Sequence, residues 1–213
     1  MKPYKMPRQK RSRESLERLL DAAEDQIRVE GLESLTINSV VSRVGLSVGA
    51  FYARFPDKTA LLHAVQDRFH NRLEPVIRAE ILEEAGACAT LAQAVEAAVE
   101  VLIRHVAGER ELSRAFMMMS VFDEVLRARG EAVNRFRRET LVEVLMPHRA
   151  EIGHPDPKLA IDVAYGVYAA VVRGRLIFGV EHELYYGIDT ATLYSELRQA
   201  LTLYLRGGQL ASV

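Results

Sequence analysis

The chain has 213 residues, 49% apolar and 27% charged, with 28 Lys and Arg against 29 Asp and Glu, one cysteine and no tryptophan. That length admits one large domain or two modest ones, the apolar share excludes general disorder, and the near-neutral total neither favours nor opposes a nucleic-acid partner. A lone Cys88 excludes an internal disulfide and reads as a buried, inert thiol in a reducing compartment. The longest uncharged stretch, Ala85–Val95, is far shorter than the ~20 apolar residues of a membrane span. No apolar run follows the basic first residues, so no secretory signal is expected. The expectation is a soluble, cytoplasmic protein without a membrane partner.

Charge is uneven along the chain. Met1–Arg13 carries Lys2, Lys5, Arg8, Lys10, Arg11 and Arg13 and no acid; residues 1–58 hold 11 basic and 8 acidic side chains, the remainder 17 and 21. Pro3 and Pro7 disfavour regular helix there, so residues 1–11 read as a flexible basic arm, either a phosphate binder or simply a solvated terminus. A helix follows from Ser15 to Glu30, with Leu16, Leu19, Leu20, Ala23 and Ile27 on one face, and Gly31 ends it. Thr36 suits an N-cap ahead of Ile37, Val40, Val41 and Val44; Gly45 follows, then Ser47 as a second cap ahead of Val48, Phe51, Tyr52 and Phe55. Asp57 can cap a long helix with Leu61, Leu62, Val65 and Phe69, which Pro75 kinks or ends. Further helices are expected at about Thr90–Gly108, Glu109–Ala128, Glu131–Arg149, Lys158–Phe178 and Thr190–Leu205, with a loop at His154–Pro157. No period-2 strand pattern interrupts the series. The expected class is all-α, about nine helices.

Two short amphipathic helices joined through a glycine, within Leu35–Arg54, suggest a helix-turn-helix, whose second helix enters the major groove while the first crosses the backbone. The second helix opens Ser47-Val48-Gly49-Ala50, small residues that permit close approach of its N–H groups to phosphates. Phe51 and Phe55 would face inward, and Tyr52 would lie on another face. By itself such a pair also fits an ordinary helical hairpin.

The residues Thr36, Val40-Val41, Gly45, Ser47-Val48-Gly49, the Phe51-Tyr52-Ala53-Arg54-Phe55 run and Lys58 resemble the DNA-binding domain of the TetR family of bacterial regulators, and the detailed match extends over about Ser12–Arg72. The pattern departs from the family at Val41, where Ala is usual, and at Ala50, where Thr is frequent. The resemblance implies a three-helix DNA-binding domain at 12–72, with the motif at 35–54, and a helical ligand-binding and dimerisation domain at 73–213. It implies phosphate contacts by Thr36, Tyr52 and Lys58, with Ser47, Val48, Gly49 and Ala50 nearest the bases. Arg43 is a further candidate for backbone or base-edge contact, and Arg8, Lys10 and Arg11 for flanking phosphates. Thr36 and Ser47 equally suit plain caps, Tyr52 half-buried core, and Lys58 a partner within its own helix.

For the C-terminal part the resemblance implies a homodimer and a small effector. The stripes Val163, Val167, Ala170, Gly174 and Leu193, Leu197, Leu201, Tyr204 suit either a four-helix interface between subunits or intrachain core. A symmetric dimer implies a palindromic operator on double-stranded DNA, its half-sites about 34–36 Å apart or a multiple of that. Phe116, Met117, Met118 and Phe122 suggest adaptable apolar lining for a small apolar or amphipathic effector, or core filling; His105, Phe136, Tyr165 and Tyr168 could add to it. The function expected is a ligand-released, sequence-specific repressor. The competing classes are an all-helical enzyme and an interaction module. Against the first, there is no P-loop or G-x-G-x-x-G, His182-Glu183 lacks a second histidine, and the six histidines show no metal-ligand spacing. No cofactor or metal is expected.

Overall fold

The computed structural model describes residues 10–179 and 187–207. Among them are nine α-helices and no strand: α1 (Lys10–Glu30), α2 (Ile37–Arg43), α3 (Val48–Tyr52), α4 (Lys58–Glu84), α5 (Leu91–Gly108), α6 (Arg110–Met119), α7 (Glu124–Leu145), α8 (Pro157–Phe178) and α9 (Thr190–Leu205). Two 3-10 turns, Leu32–Ser34 and Met146–Glu151, join them. The chain divides into two compact units. One comprises Met1–Arg72 and Glu109–Gly130, the other Leu73–Gly108 and Glu131–Val213.

In the first unit the apolar stripe of α1 is fully buried at Leu19, Ala23 and Ile27, and Val40 and Val41 of α2, Phe51 of α3, Phe55, and Leu61, Val65 and Phe69 of α4 are buried with it. Helix α6 adds Leu112, Ala115 and Phe116 to this core, with the Phe116 ring 5.7 Å from that of Phe69. A charged seam reinforces it. Glu24, 1% exposed, accepts from Arg68 at 2.7 Å, Arg28 at 3.0 Å and Arg72 at 3.1 Å, so one buried carboxylate joins α1 to α4. Burial opposes the Arg68 charge, but hydrogen bonds to Glu24, Glu17 and Asp21 outweigh it and hold its pKa above the usual range.

In the second unit α9 packs on α5 and α8. Asp156 caps α8 through Leu159 N–H and Asp189 caps α9 through Thr192 N–H, each at 3.0 Å. After α9 the chain crosses the loop before α8. Gly153 N–H donates to Leu205 O at 2.9 Å, and a Cβ on Gly153 would lie 2.6 Å from the Arg206 carbonyl oxygen. Only glycine permits that approach.

The expected elements need four corrections. Helix α1 starts at Lys10, so Lys10 and Arg11 are helical instead of belonging to a flexible arm, because nothing after Pro7 breaks the helix. Helix α4 continues through Pro75 to Glu84: Pro75 and Asn71, whose carbonyl loses a partner, are both exposed, so water can meet the freed group. The break expected at Arg129–Gly130 falls instead between Met119 and Glu124. Ser120 O–H donates to Met117 O, and Asp123 accepts from Leu126 N–H at 3.0 Å, starting α7 where a polar cap meets a buried leucine. Cys88 is half-buried and donates to Glu84 O at 3.2 Å.

Candidate nucleic-acid interface

The motif begins with a capping box. Thr36 Oγ1 accepts from Ser39 N–H at 3.0 Å, while Thr36 N–H donates to Ser39 Oγ at 3.0 Å. Ser39 in turn donates to Gln26 Oε1 at 2.9 Å, and Gln26 Nε2 donates to Ser34 O at 2.9 Å. Gln26 is 2% exposed, so a buried amide on α1 fixes both the 3-10 turn and the start of α2. Sequence reading missed this bracket; a glutamine on an otherwise apolar face, next to Ile27, was its only signal.

Helix α2 ends in a Schellman motif. Gly45 N–H bonds Ser42 O at 3.3 Å and Leu46 N–H bonds Val41 O at 2.9 Å, with Gly45 at φ +66°. The chain then enters α3, capped by Ser47 Oγ accepting from Ala50 N–H at 3.1 Å. Phe51 and Phe55 are fully buried with ring centroids 5.4 Å apart, which anchors α3 by its inner face. The outer face remains open. Ser47, Val48 and Gly49 are exposed, Ala50 is half-buried, and Tyr52 is 54% exposed, its ring edge-on to Phe51. Tyr52 therefore stands on Phe51 with its hydroxyl available.

Around this face Thr36 is exposed, and Lys58 is half-buried as the first residue of α4, next to Asp57, which caps that helix through Ala60 N–H at 2.8 Å. Arg43 is exposed and ion-paired to Glu30. An exposed pair of this kind is worth about 0–1 kcal/mol, so exchanging it for a phosphate is cheap. Arg18, not foreseen, donates to Val44 O at 3.4 Å at the end of α2. Lys10 and Arg11 lie in the first turn of α1, and Arg8 lies outside the described residues.

The effector candidates do not assemble into one site. Phe116 is buried against Phe69, Met117 is half-buried, and Met118 and Phe122 are exposed, Phe122 to 93%. His105 Nε2 is 2.9 Å from Glu80 and is half-covered by that pair. Phe136 is half-buried. Tyr165 and Tyr168 alone among the candidates line a cavity, which lies wholly in the second unit between α5, α7, α8 and α9. Of the residues expected at a dimer interface, Leu197 and Leu201 are buried within the chain itself, and Leu201 also lines that cavity. Gly174 and Leu193 are half-buried; Val163, Val167, Ala170 and Tyr204 face outward. The helical phase explains the correction: on α9 the outward stripe runs through Ala200, Leu203 and Tyr204, rotated from the Leu197–Leu201 row.

Residues 19–65 match the family described as bacterial regulatory proteins, tetR family. An uncharacterised HTH-type transcriptional regulator from Bacillus subtilis, YdgC, is 26% identical over 101 residues, 47% of this chain; the chain spans about half the length of this curated relative. Solved structures share the fold over nearly the full length. A TetR transcriptional regulator from Rhodococcus is 21% identical with a TM-score of 0.56, covering 95% of this chain and 98% of that one. Thermus thermophilus FadR, a TetR-family repressor in complex with lauroyl-CoA, is 19% identical with a TM-score of 0.62 (93% and 96% covered). Salmonella enterica GusR is 20% identical with a TM-score of 0.62 (91% and 96% covered). Residues 19–65 thus carry a helix-turn-helix segment that matches the tetR family, and the chain shares the fold of these solved structures over nearly its full length.

Proposed function

We propose that this protein is a homodimeric, sequence-specific transcriptional repressor, acting in the cytoplasm and released from a palindromic operator by a small effector. The observation that carries the DNA-binding reading is the outer face of α3. Its inner face is pinned by Phe51 and Phe55, while Ser47, Val48, Gly49 and Tyr52 stay exposed. A rigid scaffold presenting an open short helix after a glycine turn is what major-groove docking requires. In this reading Tyr52, Thr36 and Lys58 bind phosphates and fix the register. Ser47, Val48, Gly49 and Ala50 lie at base edges, and Arg43, released from Glu30, reaches backbone or a base edge. Arg8, Lys10 and Arg11 add sequence-independent affinity.

Dimerisation through the outward stripe of α8 and α9 would place two such helices about one DNA turn apart. The stripe is apolar and open at Val163, Val167, Leu203 and Tyr204, which supports that role. Residues 12–72 would form the DNA-binding part, and the rest would supply effector binding and dimerisation. An effector favouring a conformation with misplaced α3 helices would weaken operator binding by its differential affinity, typically about 1–3 kcal/mol. A small apolar or amphipathic effector agrees with the lauroyl-CoA held by the related FadR.

The test is a mobility-shift titration with DNA upstream of the protein's own gene across a salt series. Wild type should bind specifically, with affinity falling steeply as salt rises. The double variant Tyr52→Phe with Lys58→Ala should lose tenfold or more on every sequence and reduce the salt slope by about 1, since one cation is removed. Unchanged affinity in a folded, dimeric double variant refutes the phosphate assignments. Absence of specific binding by wild type to any upstream DNA refutes the repressor.

A further inference from the structure

The buried face of α1 carries one amide among its apolar side chains. Gln26 is 2% exposed, next to Ile27 and one turn from Ala23, both fully buried. An amide there is costly unless its polar atoms are matched, and here every one is engaged. Its two N–H groups face Ser34 O at 2.9 Å and Glu30 Oε2 at 3.4 Å, and its Oε1 accepts from Ser39 Oγ at 2.9 Å. Carbonyl and carboxylate oxygens only accept, so the nitrogen end must face Ser34 and Glu30 and the oxygen must face Ser39.

Ser39 passes this constraint to the start of α2. Its Oγ donates to Gln26 and receives both Thr36 N–H and Thr36 Oγ1–H at 3.0 Å, while Thr36 Oγ1 accepts Ser39 N–H at 3.0 Å. The Thr36 hydroxyl is left as a donor, which a phosphate oxygen requires. The reciprocal cap between Thr36 and Ser39 is complete without α1, because Thr36 O also lies 2.8 Å from Ser39 Oγ and can take its proton. Ser34 and Ser39 are both half-buried, within reach of water. Neither therefore needs a buried amide for its own satisfaction. What Gln26 adds is a fixed link from the interior face of α1 to the first turn of α2.

We infer that Gln26 is a positioning residue for operator binding: through Ser39 it holds the Thr36 hydroxyl where a phosphate meets it, without touching DNA itself. The assignment rests on the DNA-binding reading above. Phosphate contacts fix the register of a specific complex, whereas non-specific binding is set by charge and tolerates small displacements. Loss of the link should therefore lower operator affinity and spare non-specific affinity.

The experiment compares full-length wild type, Gln26→Met and Ser39→Ala in mobility-shift titrations on the upstream DNA and on a shuffled duplex of equal length, well below each unfolding midpoint. Gln26→Met keeps the length of the side chain and removes its hydrogen bonds. Operator affinity should fall about tenfold in each variant, the scale of one misplaced hydrogen bond to a charged group. Affinity for the shuffled duplex should stay within about twofold and the salt slope should not change, since no cation is removed. The combined variant should bind the operator no more weakly than the weaker single variant, because both break one chain of contacts. Partial unfolding would lower both affinities in proportion, so the ratio between the duplexes reports position alone. If Gln26→Met does not fold, Ser39→Ala, which cuts the link but leaves Gln26 on Ser34, must show the selective loss. An unchanged operator affinity, equal losses on both duplexes, or additive losses in the combined variant each overturn the inference. Wild type separates the two levels: if it prefers the operator and the variants do so equally, only the role of Gln26 falls; if it prefers neither duplex, the repressor reading falls and this role with it.

Discussion

Replacing Gly45 by alanine isolates the backbone requirement of the turn before α3. Gly45 sits at φ +66°, and a Cβ built there meets no atom within 4 Å, so the penalty contains no clash. The left-handed conformation costs an L-residue roughly 1–2 kcal/mol, and the smaller conformational freedom of alanine in the unfolded chain returns about 0.4–1 kcal/mol. The net expectation is a loss of about 1 kcal/mol. In a cooperative unit of about 60–100 residues that lowers the midpoint by about 4–8 °C. Gly45→Asn should lie between wild type and alanine, because asparagine tolerates this region better than other side chains. Calorimetric or urea unfolding of the three proteins measures the order. Operator affinity well below the transition should change less than tenfold, since Phe51 and Phe55 still anchor α3. A neutral alanine variant would refute the need for a left-handed residue here. A loss above about 3 kcal/mol would refute the claim that open space surrounds the position.

Asp123 carries the pH dependence most open to test. Burial alone would raise its pKa, but the backbone bond from Leu126 and the 2.7 Å contact with His63 hold it below the ordinary carboxylate range. A depressed folded pKa means stability that is fully present above the unfolded value, about 3.9, and is lost as pH falls through the lower folded one. Asp123→Asn keeps a cap for α7 but not the charge, so its urea midpoint should fall less than that of wild type between pH 5 and pH 3; parallel curves would refute the linkage. On α9, Leu201→Ala should cost about 2–5 kcal/mol of subunit stability, whereas Val167→Asp on the outer face of α8 should leave unfolding within about 0.5 kcal/mol and shift sedimentation to monomer. A stable, dissociated Leu201→Ala protein with a dimeric Val167→Asp protein would reverse the assignment of the two faces.

The parts of the fold legible in the sequence were those governed by short-range rules. The period of Leu16, Leu19, Ala23 and Ile27 located α1, and the caps Thr36 and Ser47 with Gly45 located the elements they begin or end, because each acts on backbone within four residues. The misplaced elements involve competition between local signals and packing. Gly130 looked like a break but lies within α7, and Pro75, expected to kink or end the helix, does not end it but sits on an exposed face of α4, while buried Phe69, Ile77 and Ile81 hold the helix on either side of it. The true α6–α7 break had a local signal in Asp123 ahead of Leu126. That cap lies between Val121 and Phe122, both well exposed, and the buried Leu126, so apolar residues flank it on both sides.

The two candidate sites differ in legibility for a related reason. An interface for DNA is built from what a short segment leaves uncovered, so the burial of Phe51 and Phe55 leaves Val48, Gly49 and Tyr52, on the other face of the same segment, exposed. Even there the long-range partners were hidden: that Gln26 brackets Ser39, and that Glu30 holds Arg43, depends on the α1–α2 crossing, not on spacing. A cavity is a relation among helices distant in sequence, here from Val95 to Leu205, and no local pattern specifies it. The Phe116–Phe122 cluster attracted attention because its residues are adjacent in the chain, yet adjacency on a helix turns successive side chains about 100° apart and disperses them, leaving Phe116 in the core and Met118 in solvent. Tyr165 and Tyr168, three residues apart on α8, remain on one face, and that is why the pair with the least conspicuous composition is the one that reaches a common cavity.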